Sequence, residues 1–175
     1  MKKILFLLAV VSCAASASAQ NWSEATNKSN WAAGLRIGSG LQAQAEYILS
    51  SDNYVEGRFG MSWCNAGATV MADFTALYNW HILDMNWTPK AGEWFFDAGV
   101  GLNVGGRGHY AYVGAAGCAK LGIKFNKVPL KLAADWTPVF GAEVAYTKYA
   151  GTTFRSSQFY KYGLANLGVS CVYCF

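Results

Sequence analysis

Gly163-Leu-Ala-Asn-Leu-Gly-Val-Ser-Cys-Val-Tyr-Cys-Phe175 ends the chain with a two-residue rhythm. Ala165, Leu167, Val169, Cys171, Tyr173 and Phe175 share one face, and Asn166, Gly168, Ser170 and Cys174 share the other. That is the alternation of a β-strand, not of a helix. A strand with one apolar face requires an apolar neighbour for it. Working back along the chain, runs of the same kind predict strands at Trp31 to Gly38, Leu41 to Leu49, Tyr54 to Trp63, Ala68 to Ile82, Trp94 to Val104, Tyr110 to Phe125 and Leu130 to Thr137. With Gly163 to Phe175 they make eight.

The segments between them sort into two kinds. Ser50-Ser51-Asp52-Asn53 and Asn126-Lys127 read as tight polar turns, and Asp84 to Glu93, with Thr88-Pro89-Lys90 inside it, as a longer one. These three belong at one end of the strands. The other end takes Ser39-Gly40, Cys64 to Gly67, Gly105 to His109 and the long stretch Pro138 to Tyr162. Within that stretch Phe140, Ala142, Val144 and Tyr146 also alternate. A ninth wall strand would break the even count of a single-chain bacterial barrel, so Val139 to Tyr149 is expected to extend a hairpin beyond the wall. The predicted fold is all-β, an eight-stranded antiparallel up-and-down barrel over residues 31–175.

Charge placement tests the idea of a barrel. Giving each strand's apolar parity to the outside sends Leu35, Ile37, Ala43, Tyr47, Val55, Phe59, Met61, Val70, Phe74 and Tyr78 outward, together with Val100, Leu102, Val113, Leu121, Ile123, Leu130 and Leu132. The same assignment sends Arg36, Glu46, Glu56, Arg58, Asp73, Asp97, Lys120, Lys124, Lys131 and Asp135 inward, five basic and five acidic residues. A narrow, water-poor lumen needs that balance, because each buried charge must find a partner. Gly34, Gly38, Gly60, Gly99, Gly101, Gly114 and Gly122 share the inward face and leave room for the long side chains. A water-soluble ligand carrier would invert the pattern, with charges outside and a greasy cavity within. Periodicity alone does not choose between the two.

The N-terminus reads as an export signal over residues 1–19: Lys2 and Lys3, the apolar run Ile4 to Val11, and the small residues Ala17-Ser18-Ala19 before Gln20. The run is too short for a membrane helix, which needs ~20 residues. A rival reading makes Val10-Val11-Ser12-Cys13 a lipidation site. Residues 20–30 are expected to be a short segment ahead of the barrel. Without the signal the chain keeps 12 basic against 10 acidic residues, too even a balance to imply nucleic acid. Cys64, Cys118, Cys171 and Cys174 would remain; 171 and 174 point to opposite faces of one strand and are badly placed to bridge.

Asn166-x-Gly168-x-x-Cys171-x-Tyr173-x-Phe175 resembles the C-terminal assembly signal of bacterial outer-membrane β-barrels, departing from it in the small Cys171. The layout of the whole chain is similar to small eight-stranded outer-membrane barrels of the OmpX type. The resemblance implies a bacterial outer-membrane location and insertion by the barrel-assembly machinery through Asn166, Gly168, Tyr173 and Phe175. It also implies contact with outer-membrane lipids and lipopolysaccharide, with the short turns and both termini facing the periplasm. Trp31, Trp80, Trp94 and Phe96 would then form a girdle at the periplasmic edge, and Trp63 and Trp136 one at the outer edge.

The function expected on this basis is that of a plugged surface barrel, structural or interactive, without a wide pore. Neither a catalytic, cofactor nor metal constellation emerges, and a monomer is expected. Candidate outer-loop contacts are Tyr146, Lys148, Tyr149, Arg155, Tyr160 and Lys161, where aromatic and basic groups alternate in a way that suits sugars and phosphates. The enzymatic alternative, modification of lipid A, would use His109 with Ser156 or Ser157; His81 falls inward near the opposite end. Gly99-x-Gly101 with Gly105-Gly106 lacks the helix and spacing of a dinucleotide loop. Deleting Phe175 is expected to slow membrane assembly, read as delayed appearance of the heat-modifiable folded band after pulse labelling.

Overall fold

Among the described residues ten strands form a single antiparallel sheet, and eight of them close on themselves. The structure is a computed structural model that describes residues 29–63, 70–88, 90–149 and 152–175. The export signal, Cys13 and Cys64 lie outside the described residues, as does most of the 20–30 segment.

The strands are β1 (Trp31–Gly38), β2 (Gly40–Ile48), β3 (Asn53–Ser62), β4 (Met71–Met85), β5 (Gly92–Arg107), β6 (Tyr110–Phe125), β7 (Leu130–Trp136), β8 (Val139–Tyr149), β9 (Thr152–Phe159) and β10 (Leu167–Cys174). Neighbours in sequence pair from β1 to β7; β10 pairs with β7 on one side and with β1 on the other, which shuts the ring. Closure leaves those eight strands without a free edge, the usual liability of an open sheet. The closing ladder runs from Ala32↔Cys174 to Gly38↔Gly168.

β7 and β8 are one long strand in the register of β6. Ala119↔Trp136 below and Ala116↔Val139 above keep the same offset, and the Gly117 amide donates to the Pro138 carbonyl at 2.9 Å. Proline can occupy the break because it lacks only the donor. On its other edge β7 holds β10, whereas β8 holds β9, so the β8–β9 hairpin rises past the end of the closed ring.

Some boundaries differ from the expected ones. The last strand begins at Leu167, not Gly163, because Lys161–Ala165 forms a 3₁₀ turn. Trp136 Nε1 donates to the Leu164 carbonyl at 2.8 Å, and the Ser39 hydroxyl accepts from the Leu167 amide at 2.8 Å, anchoring that turn against the rim. The loop expected at Gly105 to His109 shrinks to Gly108 and His109, since Gly105 and Gly106 continue the β5–β6 ladder opposite Tyr112 and Ala111. Gly108 makes the tight turn with a φ of 56°, a region costly to other residues. The longer turn between β4 and β5 likewise narrows to the residues between Met85 and Gly92.

Two glycines separate crowded from open positions. A Cβ on Gly34 would stand 2.0 Å from the Cys171 carbonyl oxygen, while one on Gly57 would meet nothing within 4 Å. Gly34→Val is expected to lower stability by roughly 1–3 kcal/mol through overpacking, and Gly57→Ala to stay within about 0.5 kcal/mol of the parent. Urea unfolding in detergent micelles, followed by tryptophan fluorescence, measures both.

Candidate functional site

Inward parity brings the charges together. Arg36 on β1 reaches over β10 to Asp135 on β7, with Nε at 2.9 and 3.0 Å from its two oxygens and a terminal nitrogen at 2.7 Å from one of them. Arg58 on β3 meets the same carboxylate at 3.2 Å and also donates from Nε to Glu56. Glu56 in turn accepts from Lys120 Nζ at 2.7 Å and from Asn79 at 3.0 Å. Lys120 continues to Glu46 at 3.5 Å, and Glu46 is the partner of Lys131. Asp97 accepts from the Tyr54 hydroxyl at 2.7 Å and lies 2.9 Å from His81 Nδ1; His81 Nε2 is 3.0 Å from Asp84. Arg36, Arg58 and Glu56 are each no more than 1% exposed. Groups buried so deeply are tolerable only because each is hydrogen-bonded.

Two of the ten expected charges take no ion pair among the described residues. Asp73 is held by amides: Gln42 donates to both its oxygens at 2.8 Å, and Asn103 approaches at 3.4 Å. Gln42 is itself oriented by Arg36, which donates to its oxygen at 3.1 Å, so a neutral side chain relays between guanidinium and carboxylate. Lys124 is half-buried at the end bearing the short turns and has no carboxylate within ion-pair distance. The balance of five against five thus does not resolve into five pairs.

The neutral members were missed in the charge pattern, although they share its parity. Gln42 and Gln44 alternate with Glu46, Tyr54 with Glu56, Thr75 and Asn79 with Asp73, Asn103 with Asp97, and Thr137 with Asp135. All of them are buried. Thr137 receives a hydrogen bond from Arg58 at 2.9 Å and gives one to Asp135 at 2.9 Å. A filled polar interior replaces the hollow greasy pocket of a soluble carrier.

Two residues of the terminal motif belong to this interior. Asn166 accepts from Arg36 at 3.1 Å, and a Cβ on Gly168 would lie 2.5 Å from the Arg36 guanidinium carbon. Only glycine lets that planar group lie flat against β10. Tyr173 and Phe175 face outward, ring to ring at 5.2 Å.

The outer wall is correspondingly apolar. Leu102 and Phe59 are each 63% exposed, Leu167 58% and Val169 56%. No outward position of the eight closing strands carries Asp, Glu, Lys or Arg among the described residues. Toward the end with the short turns sit Trp31 against Tyr47 at 4.8 Å, Tyr78 against Trp80 at 5.0 Å and Trp87 against Trp94 at 5.3 Å. Trp63 and Trp136 are exposed toward the opposite rim.

On the hairpin, Tyr146 is exposed, but Tyr160 is not. It is 3% exposed and stacks on Tyr112, centroids 4.2 Å apart and planes 9° from parallel. It therefore packs the mouth of the barrel and offers no face to a ligand. The side chains of Lys148, Tyr149, Arg155 and Lys161 lie outside the described residues. His109 and Ser156 are set apart: Ser156 pairs with Ala145, which pairs with Tyr110, so β8 stands between them and separates them by roughly 10 Å. Ser157 points to the opposite face of β9.

Compared with family models, characterised proteins and solved structures, the chain finds no match. The lumen must therefore be read on its own chemistry. Asp135→Asn is expected to destabilise the fold by roughly 3–5 kcal/mol, because two guanidinium groups lose their common counter-charge in a buried site. Lys124→Gln, at the open end, is expected to cost less than about 0.5 kcal/mol. Urea titration with a double-mutant cycle pairing Asp135→Asn with Arg36→Met measures the coupling.

Proposed function

We propose that this chain is an integral outer-membrane β-barrel protein whose lumen is sealed by its own side chains and whose role is structural or interactive at the cell surface. The observation that carries this reading is the separation of the two faces: among the described residues, an outer wall of exposed Leu, Val, Ile and Phe without charge surrounds a buried ionic interior. In water such a wall would be a large apolar patch of the kind that drives association. In a bilayer it is the natural surface, and the aromatic rings near both edges suit the two interfaces.

The interior opposes a porin-like role. Arg36, Arg58, Lys120 and Met71 are among its largest fully buried side chains, and they occupy the cross-section from several strands. Eight strands enclose a space that side chains fill. Beyond the ring, the β8–β9 hairpin carries Phe140, Tyr146 and Phe159 exposed on its outer face. That supports contact with lipopolysaccharide or another surface partner at the rim, with export through the N-terminal signal and insertion by the barrel-assembly machinery.

Carbonate-washed outer membranes should retain the protein, and it should migrate faster unheated than boiled. Phe59→Arg should cost roughly 2–4 kcal/mol in bilayers if that position lies near the midplane. Recovery of the protein in the soluble fraction, or steady large single-channel conductance in planar bilayers, would overturn the proposal.

A further inference from the structure

The lumen opens at the end that holds the short turns. There the side chains part around a cup of about 340 Å³, within the ~300–1,000 Å³ of small-molecule sites. Its lining is amphoteric. Phe95 and Tyr54 supply aromatic surface, Asp52 and Asp84 come from the β2–β3 turn and β4, Glu93 from β5 and Lys124 from β6.

Other charges that line the cup already have partners. Lys131 is engaged by Glu46, and Asp97 by Tyr54 and His81. Glu93 and Lys124 are different. They are direct register partners on neighbouring strands, yet they form no ion pair among the described residues. Directly opposed residues have Cβ atoms roughly 5 Å apart, so the two could meet across the ladder. Instead both line the cup, one charge of each sign. Asp84, already 3.0 Å from His81 Nε2, adds a carboxylate whose side chain is still 52% exposed.

We infer that this cup binds a small zwitterion of the amino-acid or dipeptide class. The ligand's ammonium group lies on the side of Glu93 and Asp84, its carboxylate meets Lys124, and its side chain rests on Phe95. A purely cationic ligand would leave Lys124 unmatched, and a purely anionic one would face the carboxylates of Asp52, Asp84 and Glu93. A molecule with both ends free satisfies both walls at once, and charge-assisted hydrogen bonds supply the selectivity.

The test titrates the intact barrel in detergent micelles with alanyl-alanine, its N-acetyl form, its C-terminal amide, the doubly blocked peptide and free alanine, following amide chemical shifts. Retained heat-modifiable migration shows that each variant is folded. Saturable shifts are expected around Asp52, Asp84, Glu93 and Lys124, with each single block weakening binding roughly tenfold. Lys124→Met should remove the penalty for amidation alone, and Glu93→Gln that for acetylation alone. Comparison with free alanine separates an amino-acid site from a peptide site. Absence of saturable shifts at millimolar peptide, or equal binding of the doubly blocked form, would overturn the inference. The readout is made in micelles, so it stands or falls separately from the outer-membrane assignment.

Discussion

Asp135 holds two guanidinium groups at once, and the rest of the interior is arranged around that sharing. Arg36 comes from the first strand, Arg58 from the third and Asp135 from the seventh, so one carboxylate ties three separated parts of the wall through the lumen. From it the network runs through Glu56, Lys120 and Glu46 to Lys131 near the opposite mouth. Replacing such a chain by apolar residues can be neutral for stability in a soluble core. In this barrel the ionic chain also keeps the charges of the closing strands, among the described residues, turned away from the outer face. An ionic interior and an oily exterior are two outcomes of the same alternation.

That alternation is why so much of the barrel is legible in the sequence. A strand's side chains alternate with period two, so one residue's face sets the face of every other residue in an unbroken strand, as it does in β4 up to the register shift between His81 and Leu83. Arg36, Glu56, Lys120 and Asp135 could be assigned inward from their own strands, without knowing which strands were neighbours. The eight wall strands were recoverable for the same reason, and the long β6 was legible from Tyr110 to Phe125 because no breaker interrupts it.

Partners and ends were less accessible, because they depend on register, which is a relation between strands. Asp73 shares the inward parity of its neighbours, but nothing in its own strand says that Gln42 will serve it in place of a cation. Tyr160 sits in a run of aromatic and basic residues that reads as a surface, yet the 3₁₀ turn carries it under Tyr112. Gly105 and Gly106 look like loop residues in sequence, yet both continue the β5–β6 ladder, and Gly105, opposite Tyr112, leaves the space its ring needs. In each case a contact from a distant segment overrode a sound local preference.

The seam between β1 and β10 has a consequence for how the molecule comes into being. Arg36 waits for acceptors 99 and 130 positions further along, at Asp135 and Asn166. Until the final strand docks, the cylinder is a gutter, and its cations and carboxylates must stay hydrated along the open side. Sealing the seam and burying these charges are therefore coupled, because Arg36 finds its acceptors only on the far side of that seam.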